Sequence, residues 1–316
     1  MIANVKAFRR VDDRRSFASI AFDYVVVLAI AGLASWVDRI PITLVALVII
    51  AGRQSAFQGL VHSACHFSLF SKRKYNESLE FLFAYPILDS VALYRAQHLE
   101  HHRDFALKAP DRFDYLYDAL QLSRPGIWNR TWVVFIRPLL GHAGYVFVSD
   151  AIRTFRGNRK RARKLVVYWL VLLSIAWWFG CLWFLFVYWI VPLLWLYPVF
   201  DIWAEISDHV DAKGESRNQE GLFYSGILKG HEIYHAVHHL HPVVPFYRLR
   251  DLHDSLCKKG VSMENSRGPV DFLRIVYRSV VIEESNPDAL AERLRTRSQG
   301  PIKDKGKYGQ TFSVQS

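Results

Sequence analysis

"LVVYWLVLLSIAWWFGCLWFLFVYWIVPLLWLYPVF", residues 165–200, runs for 36 residues without an Asp, Glu, Lys or Arg. A membrane crossing needs about 20 apolar residues. One straight helix of this length would rise about 54 Å at 1.5 Å per residue, well beyond the hydrocarbon core. Two spans turning near Gly180 fit instead. Surface helices of soluble proteins keep a polar face, and this stretch has none. The sequence therefore predicts an apolar hairpin in a bilayer.

A second hairpin lies nearer the start of the chain. Residues 17–37 carry one formal charge, Asp23, and residues 42–70 carry one, Arg53. Between them "DRIP", residues 38–41, is polar and turn-forming. The expected fold is an all-α integral membrane protein with four transmembrane helices in two hairpins, at about 17–37, 42–61, 165–180 and 182–204. Two further apolar stretches are interrupted. Residues 79–94 contain Pro86 and Asp89, and residues 131–147 contain Pro138 and Gly141. Both read as helices lying in the membrane interface rather than crossing it. Residues 1–283 read as one domain, and residues 284–316 as a polar, charged tail expected to be mobile.

Charge gives an orientation. The 316 residues carry a formal net charge of +11. "KAFRRVDDRR", residues 6–15, precedes the first span, and "GNRKRARK", residues 157–164, precedes the third. Basic flanks stay cytoplasmic. Both termini are therefore expected inside, with a cytoplasmic helical cap of residues 62–164 and 205–283. Because the basic runs abut the spans, they read as headgroup contacts and not as a nucleic-acid site. The first apolar run is too long for a cleavable signal and lacks a clear small-residue cleavage site. Cys65, Cys181 and Cys257 are scattered, with no CxxC pair, so neither a disulfide framework nor a thiolate zinc site is expected. No phosphate-cradling glycine loop, haem signature or iron–sulfur signature occurs.

Thirteen histidines remain to be placed. "HSACH" supplies His62 and His66, "HLEHH" supplies His98, His101 and His102, and "HAVHH" supplies His235, His238 and His239. On a helix, positions i, i+3 and i+4 share one face. All three clusters fall outside the expected spans, on the same side. Eight imidazoles exceed what one ion takes, so two metals can share them. Imidazole suits Fe, Zn, Cu or Ni, but zinc has no redox chemistry. A membrane protein with a histidine-rich pair of redox metals points to O2 activation beside a lipid-like substrate. A non-catalytic metal-handling membrane protein is the alternative from another class. It would place polar ligands near the bilayer midplane, and spans three and four contain none.

Taken together, "HSACH", "HLEHH" and "HAVHH" resemble the three histidine boxes of the membrane fatty acid desaturase and hydroxylase superfamily. "QGLVHSACHFSLF" is similar to the family's first-box helix. "YHAVHHLHPVVPFYRLRDLHDSL" is similar to its tail, with Pro242, Pro245, Leu249, Leu252 and His253 at the patterned positions. The resemblance covers about residues 52–256. It implies a non-haem di-iron centre with nine histidine ligands and O2 as co-substrate. Eight ligands carry over from the boxes. The ninth, usually a histidine just after the fourth span, falls on His209 in "EISDHV". Glu100, Glu205 and Asp208 are candidate acceptors for imidazole N–H groups. His231 shares a helix face with His235 and is a candidate accessory ligand, where the family more often has Asn or a small residue. His241 and His253 read as structural, His142 as a core or interfacial residue and Cys65 as helical filler.

The implied activity is an oxidoreductase acting on an unactivated C–H bond of a lipid or fatty acyl substrate, introducing a double bond. A hydroxylase or ketolase acting on a lipid, terpenoid or tailored acyl chain is the alternative within the superfamily. Electrons are expected from a separate ferredoxin-, rubredoxin- or cytochrome-type protein. No nucleic-acid partner is expected.

Overall fold

The computed structural model describes residues 5–106, 126–210, 212 and 216–285. The expected C-terminal tail lies almost wholly outside the described residues. Helix α1, Asp13–Val37, starts at an Asp12 cap whose side chain accepts from the Arg14 amide at 3.0 Å. It ends at Asp38, whose left-handed backbone (φ 50°) starts the turn into α2, Ile40–Cys65, with Pro41 in the first turn of α2. A proline there sacrifices no helical hydrogen bond.

The other main helices are α3 (Val91–Ala106), α4 (Ile127–Arg156), α5 (Arg159–Trp178), α6 (Leu182–His209), α7 (His235–Leu240), α8 (Phe246–Cys257) and α9 (Gly268–Ser285). A short parallel pair of strands, β1 (Asn218–Glu220) and β2 (Asn265–Arg267), registers Asn218 against Asn265.

Among the described residues four helices are long and apolar enough to cross a membrane: α1, α2, α4 and α6. Their outer faces are greasy. Phe22, Val25, Leu28 and Trp36 of α1 stand exposed, as do Ile40, Leu44 and Val45 of α2. An isolated soluble protein rarely shows so large an apolar surface. The set differs from the expected one in its third member. Helix α5 carries Arg159, Lys160, Arg161, Arg163 and Lys164 in its first turns, which leaves only its C-terminal part apolar. That part still points Val166, Leu170, Ile175, Trp177 and Trp178 outward. Helix α4 is long only by joining two pieces. Gly141 (φ 98°) breaks it after Leu140. The expected interfacial stretch 79–94 folds instead as short turns at Glu80–Leu82 and Tyr85–Ile87, leading into α3.

The second half of α2 is the centre of the molecule, with residues from Gly52 to Cys65 buried apart from Gln58. One face of it is made of small residues, Gly52, Ala56, Gly59 and Ser63. Residues 226–232 lie against that face backbone to backbone. A Cβ on Gly52 would sit 2.6 Å from the Gly226 carbonyl oxygen, and one on Gly230 would sit 2.3 Å from the Ala56 Cβ. Gly230 also has φ +62°. Gly230→Ala combines overpacking with left-handed strain, so it should destabilise the protein by roughly 2–3 kcal/mol. Thermal melting of the detergent-purified chain measures this. An unchanged melting temperature would mean that the segment does not seat on α2.

Candidate metal centre

Each ligand-bearing element has its end pinned by a polar side chain. His62 lies in the last turns of α2 and His66 directly after it. There Arg95 donates through Nε to the Cys65 carbonyl at 2.7 Å and through Nη2 to the Ala64 carbonyl at 3.3 Å, and it pairs with Glu77. A guanidinium at a helix C-terminus meets the exposed carbonyls and the negative end of the dipole. Phe67, left-handed at φ 58°, is clamped between the guanidiniums of Arg73 and Arg95, 4.0 and 3.9 Å from its ring.

Arg95 belongs to α3, one turn before His98, so it ties the first box to the second. The opposite end of α3 is capped by a carboxylate: the buried Glu80 accepts from the Val91 amide at 3.0 Å and the Ser90 hydroxyl at 3.1 Å. His209 ends α6. Arg217, 1 % exposed, donates to the carbonyls of Ser207 at 2.9 Å and Val210 at 2.7 Å. The third box opens α7, where Asn218 accepts from the Val237 amide at 3.2 Å.

These elements bring all nine expected histidines together, in two groups. His62, His66, His98, His102 and His238 form one, and His101, His209, His235 and His239 form the other. Within each group the potential ligand atoms lie within 4.8 Å of one another. Each of the second and third boxes serves both groups: the second sends His98 and His102 one way and His101 the other, and the third sends His238 one way and His235 and His239 the other.

The nitrogens converge. His98 and His102 Nε2 are 3.0 Å apart, and His102 and His238 Nε2 are 3.3 Å apart. In the second group His235 Nε2 lies 3.2 Å from His209 Nε2 and 3.1 Å from His239 Nε2. Donors held at about 2.1 Å around one ion are separated by roughly 3.0–3.4 Å. The Nε2 atoms of His62 and His66 are buried without a hydrogen-bond partner. Buried polar nitrogens normally have one, and an ion would supply it. The residues present fit two imidazole-bound metal ions.

The electrostatics match. Burial, reinforced by the neighbouring imidazoles, pushes His66 down to about 2 and His102 to about 3. For the same first cause His98, His235, His238 and His239 lie well below the usual imidazole range. Neutral imidazole is the metal-binding form.

One residue of the site carries no signal in the box spacing. Glu232 is buried and accepts from Ser63 Oγ at 2.9 Å, and its other oxygen lies 3.4 Å from His62 Nδ1. Its carboxylate sits within 4.8 Å of ligand atoms of both His62 and His235, one from each group. That position suits a carboxylate that orients His62 by holding its Nδ1–H. The adjacent pair His231–Glu232, just before the third box, is the only hint of it in the sequence. Asp208 is engaged elsewhere, with Lys229 and Gln219, and stays 3.8 Å from His235 Nε2. His231 joins neither group; it bonds Asp23. His253 contacts Cys257 and Asp254 on α8, and His241 follows α7 outside both groups.

A cavity of about 310 Å³ opens onto both groups through His62, His98, His101 and His235. Its other walls mix apolar residues (Val146, Phe147, Ile202) with polar ones (Gln58, Tyr94, Tyr197), and His142 also lines it.

Residues 20–263 match the fatty acid desaturase family, and the chain belongs to that family. It is 26% identical over 227 residues to dihydrorhizobitoxine desaturase of Bradyrhizobium elkanii. That alignment covers 65% of this chain and 64% of the relative.

Acid should unfold the metal-free protein early. The unfolded chain has ordinary imidazoles, near 6.5, whereas the buried ones resist protonation to about 2–3. Below about pH 6.5 the unfolded state binds more protons, so stability is lost as the pH falls from there towards the folded values. Melting temperatures of the metal-free protein across pH ~8 to ~4 should be level and then drop. A flat profile would mean that these imidazoles are solvated.

Proposed function

We propose that this chain is an O2-dependent membrane oxidoreductase that holds two iron ions and introduces a double bond into a lipid or fatty acyl substrate. The observation that carries this reading is the convergence of nine imidazoles into two adjacent groups beside a cavity. His62, His66, His98, His102 and His238 would hold one ion, and His101, His209, His235 and His239 the other. Bound ferrous iron supplies O2 activation and removal of hydrogen from an unactivated C–H bond, which side chains alone cannot do.

The chain supplies the rest. Burial keeps His66, His98, His102, His235, His238 and His239 unprotonated, so their nitrogens remain donors. Glu232, with an oxygen 3.4 Å from His62 Nδ1, is placed to orient that ring with its Nε2 towards the first group. The cavity walls orient the substrate carbon and limit water at the reacting bond. Desaturation removes two hydrogens and, with two electrons and two protons from outside, reduces O2 to two waters. The electrons come from a separate ferredoxin-, rubredoxin- or cytochrome-type donor, which the chain's formal net charge of +11 suits if that donor is acidic. The family supports desaturation, and so does the relative named for desaturating dihydrorhizobitoxine. Hydroxylation by the same centre is the competing outcome, since the carbon's placement decides between them.

The convergence supports one topology. His102 and His209 cannot meet unless the chain between them crosses the membrane an even number of times. That interval holds α4, α5 and α6, and α5 and α6 are joined by a tight uncharged turn at Gly180 (φ 67°). They cross as a hairpin, which leaves the kinked α4 lying in the interface. The crossing segments are α1, α2, α5 and α6, with the boxes and both termini cytoplasmic by the distribution of Lys and Arg.

Expression in a host of defined lipid composition tests the reaction. Mass spectrometry should find a product lighter by two hydrogens; a gain of one oxygen would move the assignment to a hydroxylase. His98→Ala, His101→Ala and His239→Ala should each abolish turnover and lower iron content. Full activity in any of them would remove the metal assignment.

A further inference from the structure

The two lone charges of the first hairpin meet. Arg53 Nη1 donates to Asp23 Oδ1 at 3.1 Å, and the side chains are 8 % and 0 % exposed. Ionised groups at this depth are costly, and they persist where they do a specific job. The pair is not isolated. Arg53 Nη2 donates to the carbonyls of Ser225 at 2.8 Å and Gly226 at 2.9 Å. The second Asp23 oxygen is bonded to His231 Nε2 at 2.9 Å. Three segments distant in sequence are thus tied at one point: α1, α2 and residues 225–231.

What these bonds fix is a register. Residues 226–232 run along the small face of α2, with Gly226 at Gly52, Gly230 at Ala56 and Glu232 at Gly59 and Ser63. Contacts between small residues are close but nondirectional, so they allow sliding. The fork from Arg53 to two successive carbonyls does not, and the His231–Asp23 bond fixes the other end of the segment. Arg53 lies nine residues before His62, about 14 Å along the helix. A slip there would carry Glu232 away from His62 Nδ1.

We propose that Asp23, Arg53 and His231 form an intramembrane positioning device that sets residues 225–232 in register on α2, and so places Glu232 on His62 and His235 in its metal group. These are positioning residues, since none touches either metal group. The inference rests on the metal-centre reading above.

The test uses the full chain in detergent and Co²⁺ as the probe, whose visible absorption reports its coordination. His231→Phe keeps the Asp23–Arg53 pair, so it leaves no buried charge unpaired. It should fold, weaken Co²⁺ binding by about tenfold or more and alter the absorption bands. His231→Gln restores a donor at similar reach and should recover most of the wild-type affinity. The double variant Asp23→Asn with Arg53→Met removes both charges together and should reproduce the His231→Phe spectrum. Wild-type affinity and spectrum in a folded His231→Phe protein would overturn the proposal, as would a His231→Gln variant no better than His231→Phe. A wild-type chain that takes up no Co²⁺ would instead overturn the metal-centre reading, and this inference with it.

Discussion

Imidazole nitrogens held 3.0–3.3 Å apart in a buried space tolerate one another only while uncharged. Protonating them together would place like charges in a medium that screens poorly. Keeping them neutral and close means excluding water and fixing four separate pieces of chain, and much of the fold is organised around that. Burial lowers the proton affinity of His98, His102, His235, His238 and His239, which leaves their nitrogens available as donors.

The fixing is done at helix ends. Arg95 and Arg217 cap the C-termini next to His66 and His209, Glu80 caps the N-terminus of the helix carrying the second box, and Asn218 caps that of the third. Each has the sign or hydrogen-bonding capacity that its helix end requires. Arg95 does this from within the helix of the second box, so two boxes cannot shift independently. Inside the bilayer, hydrophobic burial gives helices little reason to choose one contact over another, and close small-residue packing takes over. The α2 face from Gly52 to Ser63 provides it, with polar bonds at its two ends.

Much of this was legible in the sequence. The apolar run 165–200 gives a hairpin by length alone, and helical spacing puts each histidine box on one face. The division of the boxes between two groups was not legible. His98, His101 and His102 share a face, and only the directions from which α2, α6 and α7 approach decide which group each one joins. His209 came from resemblance, because a single histidine after a span has no pattern. Glu232 stayed hidden because one carboxylate beside a histidine is ordinary. Asp23 and Arg53 stood out as lone charges, yet their pairing requires α1 and α2 to be laid side by side and His231 to arrive from 178 residues beyond Arg53. The break in α4 was legible as well, since Gly141 interrupts the apolar stretch 131–147 at the point where the helix kinks.

The most direct test of the central claim is X-ray absorption at the iron edge, combined with metal counting, on the purified chain. The account predicts two irons per chain, each surrounded mainly by imidazole nitrogens at about 2.1 Å, with the outer-shell scattering that histidine rings produce. A single iron per chain, or a shell dominated by sulfur or carboxylate oxygen, would contradict it.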